Sequence, residues 1–201
     1  MLNRPTAAAG VAALLILLPV AATTAAAQYT SRPTTSTLSG LVTATYDSTA
    51  DSTRVRSAVV PVRGALKMYA GYRFAGATPE DPPAAVYLVF QESSTAPTWQ
   101  SPHGRVLELW VNDRDKIRVD RTDYLRRTGY ERGPLKVDIT EWVWATLPAD
   151  TFAKIAGATK VEGRLGTRYF RFGTEQLATL RELASSLPAT SSATANGAVD
   201  P

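Results

Sequence analysis

Residues 135–144 read Leu-Lys-Val-Asp-Ile-Thr-Glu-Trp-Val-Trp. Leu135, Val137 and Ile139 alternate with Lys136, Asp138 and Thr140, the period of a strand with one buried face. The pattern then shifts. Glu141 falls on the apolar face, and Trp142 and Trp144 take the opposite parity. A slip of one residue exchanges the two faces of a strand. A β-bulge near Thr140 or Glu141 is therefore predicted, or an end to the strand there, with Trp142 and Trp144 in the core.

Working outward, the same period recurs. Val42, Ala44 and Tyr46 form one face of a strand; Val55, Ser57 and Val59 oppose Arg54 and Arg56; Leu66, Met68, Ala70, Tyr72 and Phe74 oppose Lys67, Tyr69 and Arg73. Ala85 to Phe90 is continuously apolar, which fits a central strand covered on both faces. Leu107, Leu109 and Val111 oppose Glu108 and Trp110, and Asn112 to Asp115 supplies turn residues before Ile117 and Val119. Two further strands are expected over Lys160 to Leu165 and Thr167 to Phe172, joined tightly at Gly166. Apolar spacing of i, i+3, i+4 predicts helices over Pro148 to Ala156 and over Thr174 to Leu187, with Thr174 as N-cap. The expected fold is mainly β (α+β): an antiparallel β-sandwich-like domain of about eight strands with two short helices, the last packed on the sheet.

The 201 residues contain no Cys and one His, which excludes thiol chemistry, disulfides and multi-His metal sites. Arg4 is the sole charge before Arg32, and an apolar run from Val11 to Val20 is followed by Ala25-Ala26-Ala27. A basic start, a short apolar segment and a small-residue cleavage site are the pattern of a secretory signal peptide, cleaved after Ala27. The alternative is retention of residues 7–27 as an anchor, since that stretch carries no charge. Loss of Arg4 takes the formal charge from +4 to +3, mildly basic and without the clustered basic stripe of a nucleic-acid binder. Residues 28–37 read as a flexible spacer, 38–187 as a single β-rich domain and 188–201 as a disordered tail. The expected location is secreted or periplasmic in a bacterium, with no membrane span after cleavage.

Candidate chemistry is sparse. Asp47 and Asp51 alternate with hydroxyl residues and could offer hard oxygens to Ca²⁺, but no Gly makes the sharp turn of an EF-hand loop. The bland reading is a turn whose aspartates bond their own backbone. Glu108, between Leu107 and Leu109, and Glu141, on an apolar face, are the candidates for a glycosidase acid pair. His103 lies in a loop, with no nucleophile elbow anywhere. Trp99, in the loop from Ser93 to Gly104, could stack on a sugar or a protein partner, or close as a lid on the sandwich. Arg126, Arg127 and Arg132 could hold an anionic envelope polymer or a lipid head group, although interleaved acids suggest ion pairs. No aromatic-plus-basic array for nucleic acid is visible along the chain.

These features favour an exported, non-catalytic β-rich module that binds or resides in the cell envelope, without cofactor or metal and without nucleic acid. Its expected partner is an envelope protein, a glycan or a lipid. The alternatives are a carboxylate-dependent glycan hydrolase, which needs two acids facing one cleft, and a carrier of a lipid-like ligand, which needs a continuous apolar cavity.

Overall fold

The computed structural model describes residues 33–79, 81–130 and 137–188. The leader, Arg132 and the C-terminal tail lie outside the described residues. The chain is mainly β: the described residues form twelve strands in two antiparallel sheets and two α-helices. The strands are β1 (Thr34–Ser39), β2 (Val42–Asp47), β3 (Ser52–Ser57), β4 (Val60–Arg63), β5 (Leu66–Ala75), β6 (Ala85–Ser94), β7 (Leu107–Val111), β8 (Asp115–Val119), β9 (Thr122–Tyr130), β10 (Val137–Pro148), β11 (Val161–Leu165) and β12 (Arg168–Phe172). Helix α1 (Ala149–Gly157) follows β10, and α2 (Thr174–Ser185) follows β12.

The eight-stranded sheet runs β1-β2-β3-β5-β6-β10-β9, with β4 paired to β5 beside β3; the four-stranded sheet runs β12-β11-β7-β8. Alternation dictates the core. Val55, Met68, Ala70, Leu88, Phe90, Val143 and Ala145 line the inner face of the larger sheet, and Leu107, Leu109, Val161, Leu165, Phe170 and Phe172 that of the smaller. Phe90 meets Phe170 across the gap with ring centroids 5.2 Å apart, and Phe170 stacks on Phe172 at 5.4 Å. Gly163 is small for a reason: a Cβ there would collide with the Phe170 ring. Helix α2 turns Leu177, Leu180 and Leu183 inward against β2 to β5, and Tyr72 on β5 donates its hydroxyl to the Ser186 carbonyl at 2.7 Å. The C-terminal helix thus packs on the sheet, as its leucine stripe implies.

Four expectations change. No bulge interrupts β10, which pairs in unbroken register with β6 and β9. Glu141 is an acid at an inner position rather than a phase break, and Trp142 and Trp144 are half-buried on the outer face, not in the core. The segment expected to be spacer already forms β1 from Thr34, because its β-branched threonines pair with β2. Finally, Thr174 does not cap α2. The Gln176 side chain reaches back to the Gly173 N–H at 2.7 Å and so satisfies an N-terminal donor itself. The Asn112 turn stands as read: Asn112 and Asp113 take positive φ of 52° and 58°.

Candidate functional site: the outer face of the eight-stranded sheet

The outer residues of the larger sheet come from five adjacent strands. Along one row, Asp123 on β9 stands beside Trp144 on β10, then Val89 on β6 and Tyr69 on β5. Along the next lie Leu125, Trp142, Gln91 and Lys67. Val89 is fully buried between its register partners Trp144 and Tyr69. Tyr87 lies over Gly71 on β5, where a Cβ would sit 2.9 Å from the ring. The absent side chain at 71 is what lets the Tyr87 ring lie flat on the sheet. The face is therefore an aromatic strip crossing β10, β6 and β5.

At its β3 end the strip becomes basic. Arg54 on β3 is directly opposite Arg73 on β5, and Arg56 is two residues along from Arg54 on the same face. Among the described residues none of the three has an acidic partner within ion-pair distance; Arg56 instead covers Tyr69, its guanidinium carbon 3.7 Å from the ring centroid. Like charges directly opposite in a sheet are unfavourable, so this arrangement costs stability. Burial pushes the Tyr87 hydroxyl pKa up, and the positive charge of Arg54, Arg73 and Arg56 opposes that rise, placing all three within electrostatic reach of it. The short side chains of Thr43, Thr45, Ala50 and Ser52 leave a hollow of about 460 Å³ beside the three arginines, with Asp47 also in its lining. At the other end of the strip Arg127 on β9 covers Trp142 at 5.8 Å.

A larger hollow, about 680 Å³, lies by Trp110 and Tyr169 on the smaller sheet. Arg63, Asp113, Glu162 and Arg171 are the charged residues of its lining, and ion pairs run along the same sheet. Glu108, 2% exposed, bonds Lys116 and Arg118 at 2.9 Å and also Arg164, and the bonds from Lys116 and then Arg164 hold its pKa down to about 2. Lys160 bonds Asp113 at 2.6 Å and Glu162 at 3.2 Å. These acids neutralise the cations they touch, while Arg63 and Arg171, which also line this hollow, are in no ion pair among the described residues.

The residues singled out in the sequence fall in several places. Glu108 faces outward from the smaller sheet and Glu141 inward from the larger, so the structure does not bring the pair to one cleft. The acid opposite Glu141 is instead Glu92 on β6. Glu141 accepts the main-chain N–H of Thr98 at 2.5 Å and of Trp99 at 3.2 Å, and the Tyr124 hydroxyl at 2.6 Å. Trp99, 1% exposed, joins the core, so its indole is a lid and not a surface contact. Asp47 accepts the N–H groups of Thr49 and Ala50 at 3.0 and 3.3 Å, and Asp51 the Tyr46 hydroxyl at 3.0 Å, the bonding of a turn. Among the described residues no cluster of three or more metal-ligating side chains forms, and no helix is long and apolar enough to cross a membrane. Arg126 and Arg127 are exposed on β9, and only Arg127 joins the strip. Sequence reading passed over Arg54, Arg73, Tyr87 and Tyr69, because they meet only across strands. The aromatic-plus-basic array that was not visible along the chain exists on this face. No family model, curated protein or solved structure matches the chain.

Proposed function

We propose that the protein is a non-catalytic binding module whose outer sheet face holds an acidic polysaccharide, and that it works outside the cytoplasm after loss of residues 1–27. The observation that carries this reading is the facing pair Arg54 and Arg73, neither in an ion pair among the described residues, at the end of an aromatic strip. Two guanidinium groups and Arg56 supply the bidentate donors that carboxylates accept. Half-buried Trp142, Trp144 and Tyr87 supply flat faces for sugar rings. Thr43, Thr45 and Gln91, on the same face, can both donate and accept. Sugar hydroxyls need both roles and phosphates only donors, so the mixed lining favours a carboxylated glycan over a nucleic acid.

The test is titration of the full-length mature protein with a uronic-acid polymer, its neutral counterpart and single-stranded DNA. The acidic glycan should bind, weaken in salt, and lose about tenfold in affinity for each of Arg54→Ala and Arg73→Ala, one charge-assisted contact apiece. Equal binding of the neutral polymer removes the role of the arginines, and tighter binding of DNA replaces the glycan. N-terminal sequencing of secreted material should begin at Gln28; an intact Met1 contradicts the export reading.

A further inference from the structure

We propose that the protein pairs with a second copy of itself along the free edge of the larger sheet. Strand β9 would lie antiparallel to the β9 of the other copy, about a two-fold axis through Leu125. The larger sheets of the two copies then run on as one. The inference does not rest on the glycan reading of the outer face.

Strand β9 pairs with β10 on one side, and among the described residues no strand lies on its other side. That side presents main-chain N–H and C=O groups to any strand that can align with them. Neither a proline nor a bulge blunts the edge, and Leu125 stands 42% exposed near its middle. Its charges remain to decide the occupant. Asp123 and Arg127 lie on the outer face with Leu125 between them, opposite Trp144, Thr140 and Trp142 of β10. Neither is in an ion pair among the described residues.

A continuous sheet keeps both outer faces on one side, so residues of the same parity must stand opposite each other. The two-fold axis then passes through one residue, and charge selects which. Centred on Leu125, Asp123 of each copy faces Arg127 of the other, with Leu125 against Leu125, Tyr124 against Arg126 and Thr122 against Thr128. Opposite charges directly across an antiparallel pair attract, and like charges repel. Centring on Arg126 or Arg127 sets arginine against arginine, and centring on Asp123 sets acid against acid. Centring on Tyr124 faces Asp123 with Leu125 and leaves the charges unmatched. No other centre within β9 brings the strand's own acid opposite one of its own bases. The far edge of the same sheet, β1, has no charged residue and selects no register.

Because the chain contains no Cys, one introduced thiol reports the register. Leu125→Cys puts both sulfurs at the axis, with Cα atoms about 4.5–5.5 Å apart, inside disulfide reach. The two copies of Thr128→Cys would lie about 20 Å apart. On mild oxidation of the full chain, Leu125→Cys should form a covalent dimer at least about tenfold faster than Thr128→Cys. Analytical ultracentrifugation of the full chain should show monomer–dimer exchange with a Kd of about 100 μM or tighter, as suits a small interface. Asp123→Arg should weaken it at least about tenfold, because both symmetry-related pairs turn repulsive, and Arg127→Asp should do the same. An equimolar mixture of these two variants restores both pairs and should recover association. Both positions are exposed, so the wild-type thermal transition should be kept, which separates lost association from lost folding. A monomer up to about 500 μM overturns the proposal. So do equal cross-linking of the two thiol variants, a dimer indifferent to either charge reversal, and a mixture that fails to associate.

Discussion

Glu141 fixes Trp99 through the main chain and not through the ring: its carboxylate accepts the N–H of Trp99 at 3.2 Å and of Thr98 at 2.5 Å, while the indole N–H is buried without a partner. The acid sits on the inner face of β10, where the loop after β6 turns Trp99 into the core. Tyr124 on β9 completes its hydrogen bonding. Glu141→Leu would leave one buried and two part-buried donors without their acceptor and should cost about 2–4 kcal/mol in chemical denaturation. Glu141→Gln keeps an acceptor and should cost less, about 1–3 kcal/mol. A neutral Glu141→Leu variant would contradict the anchoring role.

The pair Arg54 and Arg73 predicts a trade between stability and binding. Replacing one of two facing like charges relieves repulsion worth about 0.2–1 kcal/mol. Arg73→Thr should therefore raise the melting temperature slightly in low salt. The gain should fade at high ionic strength, where the Debye length shortens to a few ångströms. The same variant should bind the acidic glycan less well. If Arg73→Thr is destabilising in low salt, the arginine has an internal partner and the face is structural.

Much of this fold was legible because burial on one side leaves a period of two, as in β3, β11 and β12, and because Gly166 and the Asn112 turn mark sharp reversals. What escaped notice has physical causes. Strand β9 is an edge with almost no buried side chain, so its sequence carries no alternation of polarity, and β1, polar but for the exposed Leu38, lacks it for the same reason. Glu141 looked like a slip because an inner acid is indistinguishable in sequence from a change of phase. Only the loop amides of Thr98 and Trp99 explain it, and they lie more than forty residues away along the chain. The binding face was illegible for a related reason. Arg54, Arg73, Tyr87 and Trp144 belong to four strands, and strand order decides whether they meet.

Two buried acids give opposite signs in the dependence of stability on pH. Glu108 has its pKa held down to about 2 by Lys116 and Arg164, below the 4.5 of a free acid. Its contribution is present above about 4.5 and is lost as pH falls toward about 2. Glu92 has its pKa raised by burial, so its contribution is present in acid and is lost as pH rises through the folded value. Glu108→Gln should flatten the acid limb of a stability curve between about 4.5 and about 2. Glu92→Gln should be more favourable, relative to wild type, at neutral pH than at pH about 4. Parallel denaturation series across this range check both signs. An unchanged acid limb in Glu108→Gln would falsify the ion pairing of Glu108 with Lys116 and Arg164 as the source of that stability.

Gly71 joins packing to the proposed function. A Cβ there would lie 2.5 Å from the Val55 carbonyl oxygen on β3 and 2.9 Å from the Tyr87 ring. The ring could swing away, but the carbonyl belongs to a strand registered on both sides, with Val55 opposite Ala44 on β2 and Tyr72 on β5. Gly71→Ala should therefore cost at least the 1–3 kcal/mol typical of overpacking, about the upper half of that range, because a main-chain group must shift. Tyr87 would be lifted from the sheet, and affinity for the acidic glycan should fall although no charge has changed. Tyr87→Ala separates the two effects. It removes the ring while sparing the β3 backbone, so it should weaken binding comparably with a smaller loss of stability. If Gly71→Ala destabilises and leaves binding intact, the Tyr87 ring is packing alone, and the glycan surface ends at Trp144.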